Sequence, residues 1–187
     1  MAVPRRILVY GVTGSGKSTL ARRIGSRLGL PYHSIDDLTW EPGWVPVPIE
    51  EQRRRIAALC AEETWVIDAA YGAWTDLALA RAELVVGLDF PRWVSLSRLI
   101  RRTVVGLIRR TRICNDNVES LRILLSKDSP VLFHFQSFPR KRERMRRWQA
   151  DPALPPVLLF RSPAAAERWL DIAHYSARDR RSSSEDR

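Results

Sequence analysis

One short stretch near the start of the chain, ILVYGVTGSGKSTL from Ile7 to Leu20, constrains the fold more than any other. It reads as an apolar strand, a glycine-rich turn and the opening of a helix, and its centre fits the pattern GxxxxGK[ST]. Glycines let consecutive backbone N–H groups point inward, and the helix adds the positive end of its dipole. The stretch therefore predicts a loop that holds phosphate.

The side chains of this phosphate loop predict a nucleotide site. Lys17 is placed to reach the β- and γ-phosphates of a triphosphate, and the Ser18 hydroxyl is placed to bind Mg²⁺. ATP and Mg²⁺ are therefore the expected cofactors. The loop residues expected to bind the nucleotide are Gly11, Thr13, Gly14, Ser15, Gly16, Lys17, Ser18 and Thr19.

Short apolar strands alternate with helices along the rest of the chain. Such alternation implies right-handed βαβ crossovers and an α/β fold, here the three-layer α/β/α fold of P-loop NTPases with a five-stranded parallel sheet and a helical, arginine-rich lid. Ligands gather at the carboxyl ends of parallel strands, so the ends of the first four strands should converge. The predicted strands are Arg6–Tyr10, PYHSI, TWVIDAAY, AELVVGLDF and PVLLFRS.

Carboxylates stand at the ends of three predicted strands. Asp68 follows the apolar WVI and suits an indirect, water-mediated contact to Mg²⁺, with a helix or turn cap as the alternative. Of the pair after the second strand, we expect Asp36 to face the site and bind the phosphate acceptor, and Asp37 to cap a turn or face solvent. Asp89 is expected to cap the helix that follows it.

The helix predicted after Pro91 carries a stripe of arginines. Arg98, Arg102 and Arg109 fall within a narrow sector of one face at 3.6 residues per turn. Such a stripe would neutralise charge that develops during phosphoryl transfer, whereas the alternative is a solvated basic face. We favour the functional interpretation for Arg102.

The bulk charge points to anionic partners. The net charge of +10 and the pI near 10.7 fit both nucleotides and nucleic acids, and composition does not choose between them. A second basic run, residues 140–147, is open to three interpretations: part of a lid, a nucleic-acid surface or a solvated helix. Weak, non-specific nucleic-acid binding is the most that the basic runs predict, since no base-reading motif is visible.

Composition also bounds the organisation of the chain. The two cysteines, Cys60 and Cys114, are far apart and offer neither a four-cysteine zinc site nor a disulfide framework. No apolar run reaches the roughly 18 residues that a membrane span needs, so we expect a cytoplasmic protein. We predict one domain over residues 1–175, a lid insertion at about 109–130 and a disordered polar tail over 176–187.

The order of these parts resembles the adenylate-kinase-like small nucleotide kinases over roughly residues 5–173. More closely, the chain looks like the FlaR-related proteins, also called DNA topology modulation proteins. The resemblance rests on GVTGSGKST, SIDDLTWEPGWVP, WVIDAAYGAW, LDFPRWVSLSRLIRR and RKRERMRRW. It implies Lys17 at the transferring phosphates, Ser18 and Asp68 at the metal, Arg98 near the adenine and Arg102 at the phosphates.

The chain also departs from that family pattern. Adenylate kinases usually carry GKGT where this chain has GKST, and they continue Asp-Gly-x-Pro-Arg where Asp68 is followed by Ala-Ala-Tyr-Gly. The arginine that would grip a monophosphate acceptor is therefore missing at that position. The sequence predicts an ATP- and Mg²⁺-dependent kinase of a nucleotide or other small molecule, with Lys17, Arg102 and Asp36 as catalytic residues. The alternatives are a nucleic-acid-associated P-loop ATPase and a kinase of polynucleotide ends.

Overall fold

The computed structural model describes residues 3–43, 45–69, 73–109, 112–113, 117–118 and 129–185. Helices and strands alternate through most of these residues. In chain order the elements are β1 Arg6–Gly11, α1 Lys17–Leu28, β2 Tyr32–Ser34, α2 Ile35–Thr39, β3 Trp40–Glu41, β4 Val45–Pro46, α3 Ile49–Cys60, β5 Trp65–Ala69, α4 Thr75–Leu79, β6 Leu84–Leu88, α5 Arg92–Arg109, β7 Arg112–Ile113, β8 Asn117–Val118, α6 Pro130–Ala150, β9 Val157–Phe160 and α7 Pro163–Glu185.

Five of the strands form one parallel sheet in the order β2–β5–β1–β6–β9. The predicted α/β fold with a five-stranded parallel sheet is therefore confirmed. β1 is the central strand, and its residue Val9 lies opposite Asp68 of β5 and Val86 of β6. This register brings the end of β5 beside the phosphate loop that follows β1.

Apolar side chains cover both faces of the sheet, which is why the central strands are apolar without alternation. Ile7 and Val9 of β1 pack in one cluster with α1 and α7. Leu8 and Tyr10 point to the opposite face and pack with α3, α4 and Met145 of α6. The molecule therefore has three layers, with the sheet in the middle.

The second strand is shorter than predicted. β2 ends at Ser34, and Asp36 and Asp37 lie in the first turn of the short helix α2. Acidic residues are favoured there because they face the positive end of the helix dipole. Ile35 and Thr39 are buried from the same helix. The Pro-rich stretch that follows contains the antiparallel pair of β3 and β4, and the sequence did not indicate α4.

Two predictions concern the lid and the tail. Most of the predicted lid insertion lies outside the described residues. Of its described part, β7 and β8 form an antiparallel pair. The tail expected to be disordered from residue 176 instead continues α7 to Glu185. Extending a helix that packing has already started costs little per residue, so a polar sequence can prolong it. In the described part of the chain, no helix is long and apolar enough to cross a bilayer.

Candidate active site

The phosphate loop folds tightly because two of its glycines take backbone angles that other residues avoid. Gly14 has φ of +80° and Gly16 has φ of +94°. A Cβ atom at Gly14 would also collide with the backbone oxygen of Ser95 and the side chain of Leu99 in α5. The loop thus lies directly against α5, which carries the arginine stripe.

Lys17 stands where charges from several elements meet. Its Nζ donates a hydrogen bond of 3.2 Å to the carbonyl oxygen of Val12, which curls the side chain over the loop. Burial lowers the pKa of Lys17. The charges of Asp68 and Asp36 raise this pKa, and the charge of Arg102 lowers it. Both carboxylates and the guanidinium therefore act electrostatically on the ammonium group of Lys17.

Ser18 and Asp68 form the oxygen-rich part of the site. The Ser18 hydroxyl donates a hydrogen bond to Oδ2 of Asp68, and the Ile35 backbone N–H donates to Oδ1 at 3.4 Å. Asp68 is only 5% exposed. Hydroxyl and carboxylate oxygens are ligands that suit Mg²⁺, which usually takes one or two from the protein and the rest from phosphates and water. The pair therefore fits the predicted metal, although the described residues contain no cluster of three or more metal-binding side chains.

A cavity of about 460 Å³ opens beside the loop. Arg98 and Arg102 line it from α5, and Nη1 of Arg98 donates a hydrogen bond of 3.1 Å to the carbonyl oxygen of Ser15. The guanidinium of Arg98 also lies 5.8 Å from the centre of the Phe90 ring. The remaining lining comes from residues 14–20 after β1, from Leu88 at the end of β6 and Phe90 beyond it, and from Pro163, Ala166 and Glu167 of α7.

The cavity contains most, but not all, of the predicted nucleotide-binding residues. Gly14, Ser15, Gly16, Lys17, Ser18, Thr19, Arg98 and Arg102 line it, whereas Gly11 and Thr13 do not. Gly11 instead ends β1, where a Cβ would stand 2.7 Å from Oγ of Ser15. The α7 residues were missed, although the rule applied to the first four strand ends holds equally for β9.

Outside this cavity lining, α2 and α6 contribute one charged residue each, Asp36 and Lys141. Asp36 is half-buried, whereas Asp37 is exposed. Lys141 of α6 is 7% exposed, and its Nζ lies 4.9 Å from the centre of the Phe133 ring. The charge of Asp36 raises the pKa of both Lys17 and Lys141. Sequence reasoning missed Lys141 because it stands within a run of six basic residues and nothing in the run marks it.

Much of the second basic run makes contacts within the protein. Asp89 was expected to cap α5. In the structure it is 2% exposed and pairs with Arg142 at 2.5 Å and with Arg146 at 3.1 Å. Arg144 donates to the hydroxyl of Tyr10 at 3.3 Å. The run therefore fastens α6 to the ends of β1 and β6. Arg147 pairs with Glu143 on the outer face of the helix.

A parallel sheet with a glycine-rich loop between its central strand and α1 defines a P-loop α/β protein. No protein-family model matches the chain. A UPF0200 protein of Aeropyrum pernix is 32% identical over 131 residues, which cover 57% of this chain and 70% of that protein. A cytidylate kinase of the same organism is 30% identical over 120 residues, which cover 54% of this chain and 67% of that protein. The chain belongs to the P-loop nucleotide-kinase-like superfamily.

Solved structures agree on the fold. A gluconokinase from Sinorhizobium meliloti superimposes with a TM-score of 0.53 and 17% identity, covering 98% of this chain and 99% of that one. A shikimate kinase from Bacteroides thetaiotaomicron superimposes with a TM-score of 0.52 and 17% identity, covering 90% of this chain and 95% of that one. At such identities the likeness concerns the fold.

Proposed function

We propose that the chain is a kinase that transfers phosphate from ATP, with Mg²⁺, to a nucleotide or another small molecule. The observation that carries this proposal is the meeting of Lys17, Arg102 and the Ser18–Asp68 pair at a phosphate loop beside a cavity. The names of a cytidylate kinase and of two other small-molecule kinases among the similar proteins support it.

The cations of the site would stabilise charge that spreads over the phosphates as transfer proceeds. Lys17 would act from the loop and Arg102 from α5, so that the γ-phosphate lies between two positive groups. Arg98, fixed by its hydrogen bond to Ser15, would hold the nucleotide. Ser18 and Asp68 would hold Mg²⁺, which supplies further positive charge at the phosphate oxygens when bound.

Asp36 would serve the acceptor. If the acceptor group is a hydroxyl, its oxygen forms a bond to the γ-phosphorus while the bond to the β–γ bridging oxygen breaks, and ADP leaves with that electron pair. Asp36 would orient the hydroxyl and accept its proton, a role that suits a half-buried carboxylate close to Lys17. Closure of the arginine-bearing α5 side over the phosphates would exclude water as a competing acceptor.

The second candidate is a nucleic-acid-associated ATPase, which the net charge of +10 favours. Against it, Lys141, Arg142, Arg144 and Arg146 contact groups within the protein. We expect DNA binding that is weak, indifferent to sequence and steeply reduced by salt. Nanomolar, sequence-selective binding at physiological salt would favour this candidate.

A transfer screen tests the proposal. ATP labelled at the γ-phosphate is incubated with the protein, Mg²⁺ and nucleosides, nucleotides, sugars, sugar acids or DNA ends, and Lys17→Ala serves as the inactive control. Label that appears on one small-molecule class supports the kinase. ATP hydrolysis at the same rate with every acceptor, without labelled product, would overturn it in favour of an ATPase.

A further inference from the structure

Lys141 is an unusual residue for the surface helix that carries it. It is 7% exposed, and its Nζ has no hydrogen-bond partner among the residues that the structure describes. The aromatic face of Phe133, 4.9 Å away, is the contact that its ammonium makes. A buried ammonium group with no hydrogen-bond partner among the described residues is costly, and an anion bound at the site would be a suitable partner.

The surroundings of Lys141 place that partner on the acceptor side of the site. The charges of Lys17 and Asp36 both act on Lys141, with Lys17 lowering its pKa and Asp36 raising it. Neither Asp36 nor Lys141 belongs to the lining of the cavity that we assign to the nucleotide. The Lys141 ammonium thus interacts electrostatically with Lys17 and Asp36 and lies outside the lining of the cavity that we assign to the nucleotide.

The segment that follows β5 carries no cation of its own, and Arg53 of α3, which contacts its far end, is already paired with Asp76. From Asp68 to Asp76 the chain reads DAAYGAWTD, without a lysine or arginine. The end of β5 therefore presents no positive side chain to an acceptor. A cation on α6 can take that part, because α6 packs against the same face of β1 and β5 as α3 and α4.

We propose that Lys141 binds an anionic group of the acceptor, a phosphate or a carboxylate, and thereby restricts the enzyme to acceptors that are already anions. The proposal rests on the kinase function proposed above. It makes Lys141 a specificity-determining residue, whereas Asp36 acts on the group that receives phosphate. By donating hydrogen bonds to an anion, the ammonium would gain the partner that it lacks among the described residues.

This role predicts a pH dependence of acceptor binding. Burial and, next, the charge of Lys17 lower the pKa of Lys141 to about 7. Only the ammonium form attracts an anion, so acceptor affinity should fall as pH rises above about 7. Among the described residues, Asp36 raises the pKa of Lys141, and Arg144 and Arg140 lower it. Lys141 in turn lowers the pKa of His134. In Lys141→Arg the charge persists at every such pH, and the fall should disappear.

Calorimetry on the full chain tests the proposal without requiring turnover. The phosphate loop is first filled with a non-hydrolysable ATP analogue and Mg²⁺. Cytidine monophosphate is then compared with cytidine, gluconate with glucose, and inorganic phosphate is titrated alone. The first pair reports a preference for phosphate, and the second reports a preference for carboxylate. The variants are Lys141→Met, whose unbranched side chain lacks only the terminal ammonium in length, and Arg147→Met, which removes an exposed cation of the same helix.

We expect the wild type to bind at least one anionic probe more tightly than its neutral counterpart. Lys141→Met should weaken that binding by about 10-fold or more, while Arg147→Met leaves it unchanged. A second readout is the shift in melting temperature with inorganic phosphate, which should be smaller in Lys141→Met than in the wild type. Both readouts compare folded proteins, because methionine fits an apolar, buried position.

The outcomes separate this proposal from the kinase proposal. Equal binding of every probe by the wild type and Lys141→Met, or no anion binding by either, would overturn the role of Lys141. Absence of analogue binding would instead overturn the kinase proposal. In that case inorganic phosphate is titrated into Lys17→Ala and into a double variant that also carries Lys141→Met. Equal phosphate binding by these two proteins would overturn the role of Lys141.

Discussion

The two sides that we propose for the site, a donor side and an acceptor side, are built in different ways. The donor side consists of the phosphate loop and α5, whose Arg98 and Arg102 are exposed cations beside an open cavity. The acceptor side consists of α2 and α6, where Asp36 is half-buried and Lys141 is buried. Exposed cations keep their water and cost little, whereas a buried cation is expensive and selective. In the proposed site, Lys141 is thus the cation whose burial makes it more demanding of its ligand than Arg98 or Arg102.

The largest expected effect tests the donor side at Lys17. Lys17→Ala should lower ATP turnover by at least about 10³-fold, because the ammonium at the loop is lost where the transition state gains charge. Circular dichroism should show an intact fold. Arg54→Ala, which removes an exposed cation paired with Glu51, is the matched control and should keep full turnover. Near-normal turnover in a folded Lys17→Ala protein would refute the phosphate-loop assignment.

Arg102 tests whether the arginines of α5 act in transfer or are a solvated face. Arg102→Ala should lower kcat by about 10³-fold, the low end of the range for arginine fingers, because Lys17 and Mg²⁺ remain. The apparent affinity for ATP should change less. The neighbouring Arg101 lies outside the cavity lining, and Arg101→Ala should have no effect on steady-state kinetics. Equal losses in both variants would show a general effect of charge.

The acceptor side is tested by the adjacent pair Asp36 and Asp37. Asp36→Asn keeps the shape and removes the charge, so it should lower kcat/KM for the acceptor by about 10²-fold and leave ATP binding nearly unchanged. Asp37→Asn removes the same charge from an exposed position and should change neither. The measurement is steady-state kinetics with both substrates varied. If the two variants behave alike, Asp36 is a helix-turn residue and the division into two sides fails.

The smallest expected effect concerns stability. The pKa of Lys141 is lowered from 10.5 to about 7 in the folded protein, so between these values the unfolded chain binds more protons and wild-type stability rises with pH. Lys141→Met lacks this penalty and should raise the free energy of unfolding by about 1–3 kcal/mol below pH 7. The advantage should shrink as pH approaches 10. Denaturant unfolding at several pH values measures it, and a less stable Lys141→Met protein would contradict a costly buried charge.

The fold could be predicted from the sequence because its signals are local. Strand–loop–helix order, the glycines of the loop and apolar runs bounded by carboxylates were enough to predict the sheet, which the structure confirms. Element ends were less secure. Asp36 was placed at the end of a strand and lies in the helix α2, and the end of α7 was predicted to be disordered. Ends depend on dipoles and on packing from outside the segment, which periodicity does not record.

The sequence by itself determined the phosphate loop, since Gly14, Lys17 and Ser18 must stand at fixed spacing for the backbone and the helix dipole to bind phosphate. Only the tertiary structure decided which residue of the basic run is buried, and that residue is Lys141. It also decided that Asp89 holds two arginines of α6. The physical reason is that motif residues adjoin along the chain, whereas burial and charge partners arise when distant elements pack on one sheet edge.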